Sequence, residues 1–283
     1  MMPLTQKQHP GAGSVVLDLS GPKLRAALSD LIDAAEPSGG IERYISDLQL
    51  KVTLFRKLLA ENNVLALDAA AFSALIGFIP TVRRRIKDAL EKYGLDRLLG
   101  AIERLLNGEG TAAERLRQFT AAFPNDRGHR WVRDLGAELL HFTDPQNLPL
   151  ATRWIWDMQT NTGVLREIWH AEDVDNLHIP INDEFETFQT LREELTGFLR
   201  GEGFFRDLGL YIDLLCAHIY ALYINDRAGQ YLRTDFGRNE APMAHTRRML
   251  GLDAIEREPA RSWLALIEER AAEAAKALTR PGA

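Results

Sequence analysis

FFRDLGLYIDLLCAHIYALYI, residues 204–224, decides the fold class. Apolar side chains fall on nearly every face of this run, and it is too long for an ordinary strand. Such a run reads as a helix covered on all sides by other elements. Its polar members are Tyr211, Asp213, His218, Tyr220 and Tyr223. Buried, each needs a partner or costs about 1–3 kcal/mol. The most apolar part, residues 208–224, is just under the roughly 20 residues that span a bilayer, and it carries Asp213 and His218. A central helix of a soluble protein is expected, with no membrane partner.

Working outward, most of the chain has helical spacing. Ile45, Leu48, Val52, Phe55 and Leu59 line one face of a long amphipathic helix over residues 41–61. Ser20-Gly21-Pro22 opens a helix to about Ala35, with Val15 to Leu19 extended before it. Asp68 caps residues 69–78. Pro80 opens a helix closed by Gly94, and Thr111 caps another to about Ala122. Residues 125–141 are read as one helix, residues 183–199 as an amphipathic one capped by Asn182 or Asp183, and residues 259–280 as the last. Asn225 to Gly229 is read as a turn. The expectation is an all-α, multi-helical globular protein, one compact domain or two lobes meeting near residue 180. Residues 1–13 are expected to be disordered, 14–178 to form an N-terminal lobe and 183–283 a C-terminal lobe.

Composition narrows the function classes. The 283 residues are 46% hydrophobic and 26% charged, with a formal net charge of -6, which argues against a nucleic-acid-wrapped protein. The lone Cys216, in an apolar run, excludes an internal disulfide and a self-contained iron–sulfur cluster, and it reads as an inert buried thiol. No apolar core follows the first lysine, so no signal peptide is expected, and a cytoplasmic location fits. No P-loop, HExxH, strand-borne GxGxxG or GxSxG motif occurs.

The richest stretch chemically is LLHFTDPQNLPLATRWIWDMQTNTGVLREIWHAEDVDNLH, residues 139–178, with three of the five tryptophans. Residues 148–158 are expected to form a short helix, Thr160 to Gly163 a turn, and residues 164–170 a short helix or extended segment. A packed core corner is one reading. The other is a pocket or partner groove at Trp154, with Asp157, Asn161 and Arg166 as its polar groups. His170, Glu172, Asp173, Asp175 and His178 have the composition of metal ligands but not a known ligand spacing, so no metal and no cofactor is expected. Arg83, Arg84, Arg85 and Lys87 form the densest basic cluster, fanned around a helix by about 100° per residue. A second candidate surface is GQYLRTDFGRNEAPMAHTRRMLGLD, residues 229–253, read as a loop offering Tyr231, Arg233, Asp235 and Phe236 to a partner or ligand.

Two segments resemble known families. The two helices flanking Gly108-Glu109-Gly110, with LLHFTDPQNLPLATRWIWD, are similar to the helix-hairpin-helix region of DNA glycosylases. Glu109 stands where that motif has an apolar residue, and the lysine of the bifunctional members has no counterpart near the hairpin. Residues 229–253 resemble the C-terminal part of proteins associated with heterodisulfide-reductase-like sulfur-oxidation systems. That likeness implies a non-catalytic accessory protein docking on iron–sulfur redox subunits. Three expectations follow: such an accessory protein; an enzyme or small-ligand-binding protein with a pocket at the Trp-rich corner; and a glycosylase-like nucleic-acid binder. Protein partners are expected under the first, and self-association is compatible with all three.

Overall fold

The structure, a computed structural model, describes residues 15–60, 63–171, 177–231, 242–258, 260–267 and 269, with backbone only at 227–231 and 242. The described residues contain no strand, only two isolated bridges, Leu19 with Trp169 and Asp157 with Thr162. The fold is all-α and multi-helical, as the apolar spacing predicts.

Helices α1 (Gly21–Ala35), α2 (Ile41–Leu58) and α3 (Ala69–Gly77) begin as their sequences dictate. Ser20 accepts a hydrogen bond from the Lys23 amide, and Asp68 accepts one from the Ala71 amide at 2.7 Å. Each cap satisfies an end-of-helix donor, worth about 1 kcal/mol. Val15 to Leu19 runs extended, with the Ser20 amide donating to the Ile168 carbonyl and the His170 amide to the Asp18 carbonyl, both at 2.8 Å.

The helix predicted to follow Pro80 is broken into α4 (Pro80–Arg83) and α5 (Ile86–Tyr93). The two halves have different surroundings. Val82 is fully buried, whereas only Ala89 is buried in α5. The break also disperses the basic cluster, because Arg83 turns inward to Asp253 at 2.9 Å. Helices α6 (Leu95–Asn107) and α7 (Ala112–Ala121) form an antiparallel-type hairpin pair, and Thr111 and Glu114 make a reciprocal capping box at the start of α7.

Next come α8 (Trp131–Thr143), α9 (Val164–Glu167), α10 (Phe185–Gly201), α11 (Leu208–Tyr231) and α12 (Pro242–Met249). The helix predicted over residues 125–141 starts only at Trp131, after a 3-10 turn at Arg127–His129 capped by Asp126. Ahead of α10, Asn182 accepts from the Glu184 amide and the Thr187 hydroxyl, although the capping position itself is Glu184. The turn expected at Asn225 to Gly229 is helical, since α11 continues to Tyr231. Residues 260–267 are also helical, inside the predicted last helix.

Two helices hold the centre. Helix α11 packs on α1, α2, α9, α10 and α12, while α8 packs on α2, α4, α6 and α7. Gly136 of α8 makes the α7 approach fit, because a Cβ there would lie 2.7 Å from Leu116 and 2.9 Å from Phe119 side-chain carbons. One hydrophobic core cluster runs from Leu17 to Ile267 and includes residues from both sides of position 180.

The helix predicted over residues 148–158 does not form; this segment is a series of turns. Leu150, Ala151, Trp154, Ile155 and Trp156 are all buried, and no single helical face could bury three consecutive residues against one neighbour. Pro149 removes one backbone donor. The Arg153 amide donates to the buried carboxylate of Asp134, and Arg192 donates to the carbonyls of Pro145 and Leu148, both at 2.7 Å.

Candidate functional site

The aromatic corner is a packed structure. Trp156 is fully buried and its indole N–H donates to the Ile181 carbonyl at 3.1 Å. Trp154 turns towards α11 and sits 5.8 Å from the Tyr220 ring centre; its indole N–H is buried with no hydrogen-bond partner. Asn161 adopts a left-handed φ of 51°. Its side-chain amide donates to the Leu177 carbonyl and accepts from the Ile179 amide, stapling the 157–163 turn to the segment before α10. Arg166, nearly buried, donates to the Asn161 carbonyl at 2.9 Å. Asn161 and Arg166 therefore hold the corner together.

Asp157 is different. Its Oδ1 accepts from the Gln159 and Thr160 amides, and its Oδ2 accepts from Arg130. It lies at the edge of a cleft of about 570 Å³. Three stretches of the chain form this cleft: residues 120–133, from the end of α7 through the loop into the first turn of α8; residues 153–159; and Asp183-Glu184 ahead of α10. A shallower groove of about 190 Å³ continues from it along α7, sharing Thr120, Arg133, Asp183 and Glu184.

Three arginines shape the cleft. Arg130 pairs with Asp157, Arg133 with the carboxylate and carbonyl of Asp183, and Arg153 with Asp134 at 2.8 Å. Arg130 and Arg133 stand one helical turn apart and so share a face. On the rim, the Asp126 carboxylate faces His129 Nδ1 at 2.7 Å, and His129 Nε2 faces the Tyr93 hydroxyl at 2.7 Å. The His129 contact holds the Asp126 carboxyl below its usual range. The chain Asp126–His129–Tyr93 pins the loop after α7 onto α5.

Of the described residues that the sequence singled out for binding, Asp157 is the one that lines this cleft. Arg130, Arg133, Arg153 and His129 were missed. A faint signal existed in RGHRWVRD, residues 127–134, where Arg130 and Arg133 are three apart at a helix start. Their acidic partners lie 27 and 50 positions downstream, beyond any local pattern.

Lys51, Glu138 and His141, buried in the core, find partners within the protein. Lys51, fully buried, donates to Glu138 at 2.8 Å and to the Phe78 and Leu250 carbonyls at 3.0 Å. Burial pushes the Lys51 ammonium down and the Glu138 carboxyl up, but three acceptors use all three N–H groups, which only the ammonium possesses. His141 Nε2 faces Asp213 at 2.7 Å and Nδ1 faces the Leu148 carbonyl at 2.8 Å. Cys216 is 1% exposed, and burial raises its thiol pKa well above the usual range.

Tyr231 is described in backbone only, and Arg233, Asp235 and Phe236 lie outside the described residues, as do residues 172–176 of the 170–178 run. Among the described residues no three His, Cys, Asp or Glu side chains gather as metal ligands. One helical stretch, Leu208–Asp226, is long and apolar enough to cross a membrane, and 67% of it is buried under other helices, as a core helix would be.

No protein-family model matches the chain, and neither a curated protein nor a solved structure matches it.

Proposed function

We propose that this chain is a small-ligand-binding protein whose site is the polar cleft between α7, α8 and the Trp-rich corner. The observation that carries this reading is the cleft's size, about 570 Å³, which falls within the roughly 300–1,000 Å³ of small-molecule sites. Its wall groups are oriented in advance. Each arginine is fixed by a carboxylate, so little side-chain freedom remains to be lost on binding. The mixed charge disfavours the nucleic-acid alternative, because Arg117 and the three cleft arginines stand among Asp126, Asp157, Asp183 and Glu184 rather than forming a basic track.

The test is native mass spectrometry of the full chain purified gently from its source cell, beside thermal-shift screening of a library of polar metabolites. A retained small molecule, or a stabilising compound whose effect disappears in Arg130→Gln, supports the reading. No adduct and no stabilising compound would overturn it.

A further inference from the structure

We infer that the ligand of this cleft is a zwitterion, a small molecule carrying both a carboxylate and an ammonium or similar cation. The inference rests on the ligand-binding reading and adds the chemical class.

The cleft leaves several donors and acceptors unpaired. Arg130 spends Nη2 on Asp157, while its Nε and Nη1 have no partner among the described residues; its side chain is 38% exposed. Arg153 spends Nε and Nη2 on Asp134 and leaves Nη1. Between them these guanidinium groups offer three N–H-bearing nitrogens to an incoming acceptor such as a carboxylate. The opposite requirement stands beside them. The Glu184 carboxylate has no partner among the described residues, and Asp126 uses only Oδ1, leaving Oδ2. Glu184 is placed by its neighbour Asp183, which is clamped to Arg133 one turn along α8 from Arg130.

Charge balance decides between ligand classes. Three arginines line the cleft against four carboxylates, Asp126, Asp157, Asp183 and Glu184. A pure anion would meet no net positive field here. A pure cation would meet Glu184 and Asp126 but leave the free donors of Arg130 and Arg153 without an acceptor. A molecule with both signs meets unpaired donors at Arg130 and Arg153 and unpaired acceptors at Glu184 and Asp126.

The experiment is isothermal titration of the full chain with four probes: L-glutamine as zwitterion, succinate as dianion, putrescine as dication and sorbitol as neutral polyol. Glutamine heat that weakens at least tenfold in both Glu184→Gln and Arg130→Gln, with little response to the others, is expected. Glu184→Gln touches no protein contact, so it keeps the test clean if Arg130→Gln loosens the fold. Binding of succinate, putrescine or sorbitol without glutamine, or glutamine binding indifferent to Glu184→Gln, overturns the zwitterion assignment and leaves the cleft as a ligand site. If no probe binds while the library screen finds a stabilising compound that carries no opposite charges, the assignment fails in the same way. Silence in both assays overturns the ligand-binding reading itself.

Discussion

At the scale of single residues, two buried bases show opposite solutions to the cost of burying charge. Lys51 keeps its charge by giving each N–H an acceptor, and its ammonium also lies 3.7 Å from the Phe142 ring centre. Lys51→Met leaves Glu138 and two carbonyls unpaired, so it should destabilise by about 3–5 kcal/mol, whereas Lys51→Met with Glu138→Met should recover much of that loss. Urea unfolding of the three proteins measures it; a single variant as stable as wild type would show that water replaces the ammonium. His218 solves the problem by staying neutral. Its Nε2 faces Asp30 at 2.7 Å and its Nδ1 faces the Thr246 hydroxyl at 3.2 Å, so one neutral tautomer donates to the first and accepts from the second. Burial lowers its pKa below the ordinary value of 6.5, against the raising effect of Asp30. The unfolded chain therefore binds a proton near pH 6.5 that the folded chain refuses until lower pH. The stability this group contributes is present above about pH 6.5 and is lost as pH falls below it. Wild type should lose more stability than His218→Gln between pH 7 and pH 5.5 in denaturant titrations, and equal losses would contradict the assignment.

At the scale of elements, close approaches are the sensitive points. Gly136→Ala on α8 would push a methyl against Leu116 and Phe119 and should cost about 1–3 kcal/mol, readable as a lower melting temperature. An unchanged melting temperature would mean that α7 shifts freely. This same helix shows how far the sequence could be read. Caps at Ser20, Asp68 and Thr111, and the apolar face of α2, were legible because a cap and a 3.6-residue period are local signals. The central place of α8 was not, because Asp134, Glu138 and His141 gave it a polar appearance that only distant partners explain: Arg153, Lys51 and Asp213. The failed helix over residues 148–158 has the same origin, since tertiary bonds from Arg192 and Asp134 override local preference. The helical end of α11 ran past Asn225 and Gly229 because turn-favouring residues weaken a helix without forbidding it. The cleft was legible only at Asp157, because residues 120–133, 153–159 and 183–184 meet only in the fold.

At the scale of the whole molecule, the question is whether the halves on either side of residue 180 fold as one unit. Helix α11, from the second half, lies against α1, α2 and α9 of the first, and the His218–Asp30 and His141–Asp213 contacts cross the same line. The Lys51 ammonium, on α2, binds the Leu250 carbonyl beyond α12. Gly251, next in the chain, has a φ of 72° and comes so close to the Phe78 carbonyl that a Cβ would lie 2.0 Å from its oxygen. Neither half could unfold without exposing apolar surface and charged groups of the other, so a single cooperative transition is expected. The tryptophans provide the test. Trp131, Trp154, Trp156 and Trp169 are buried in the first half, so fluorescence reports mainly on that half, while far-UV circular dichroism averages over helices of both. The two signals should trace one urea curve with one midpoint. A fluorescence midpoint separated from the dichroism midpoint would mean that the halves are held together too weakly to share one unfolding equilibrium, and the contacts of α11 with α1 and α2 would then be adhesive rather than integral.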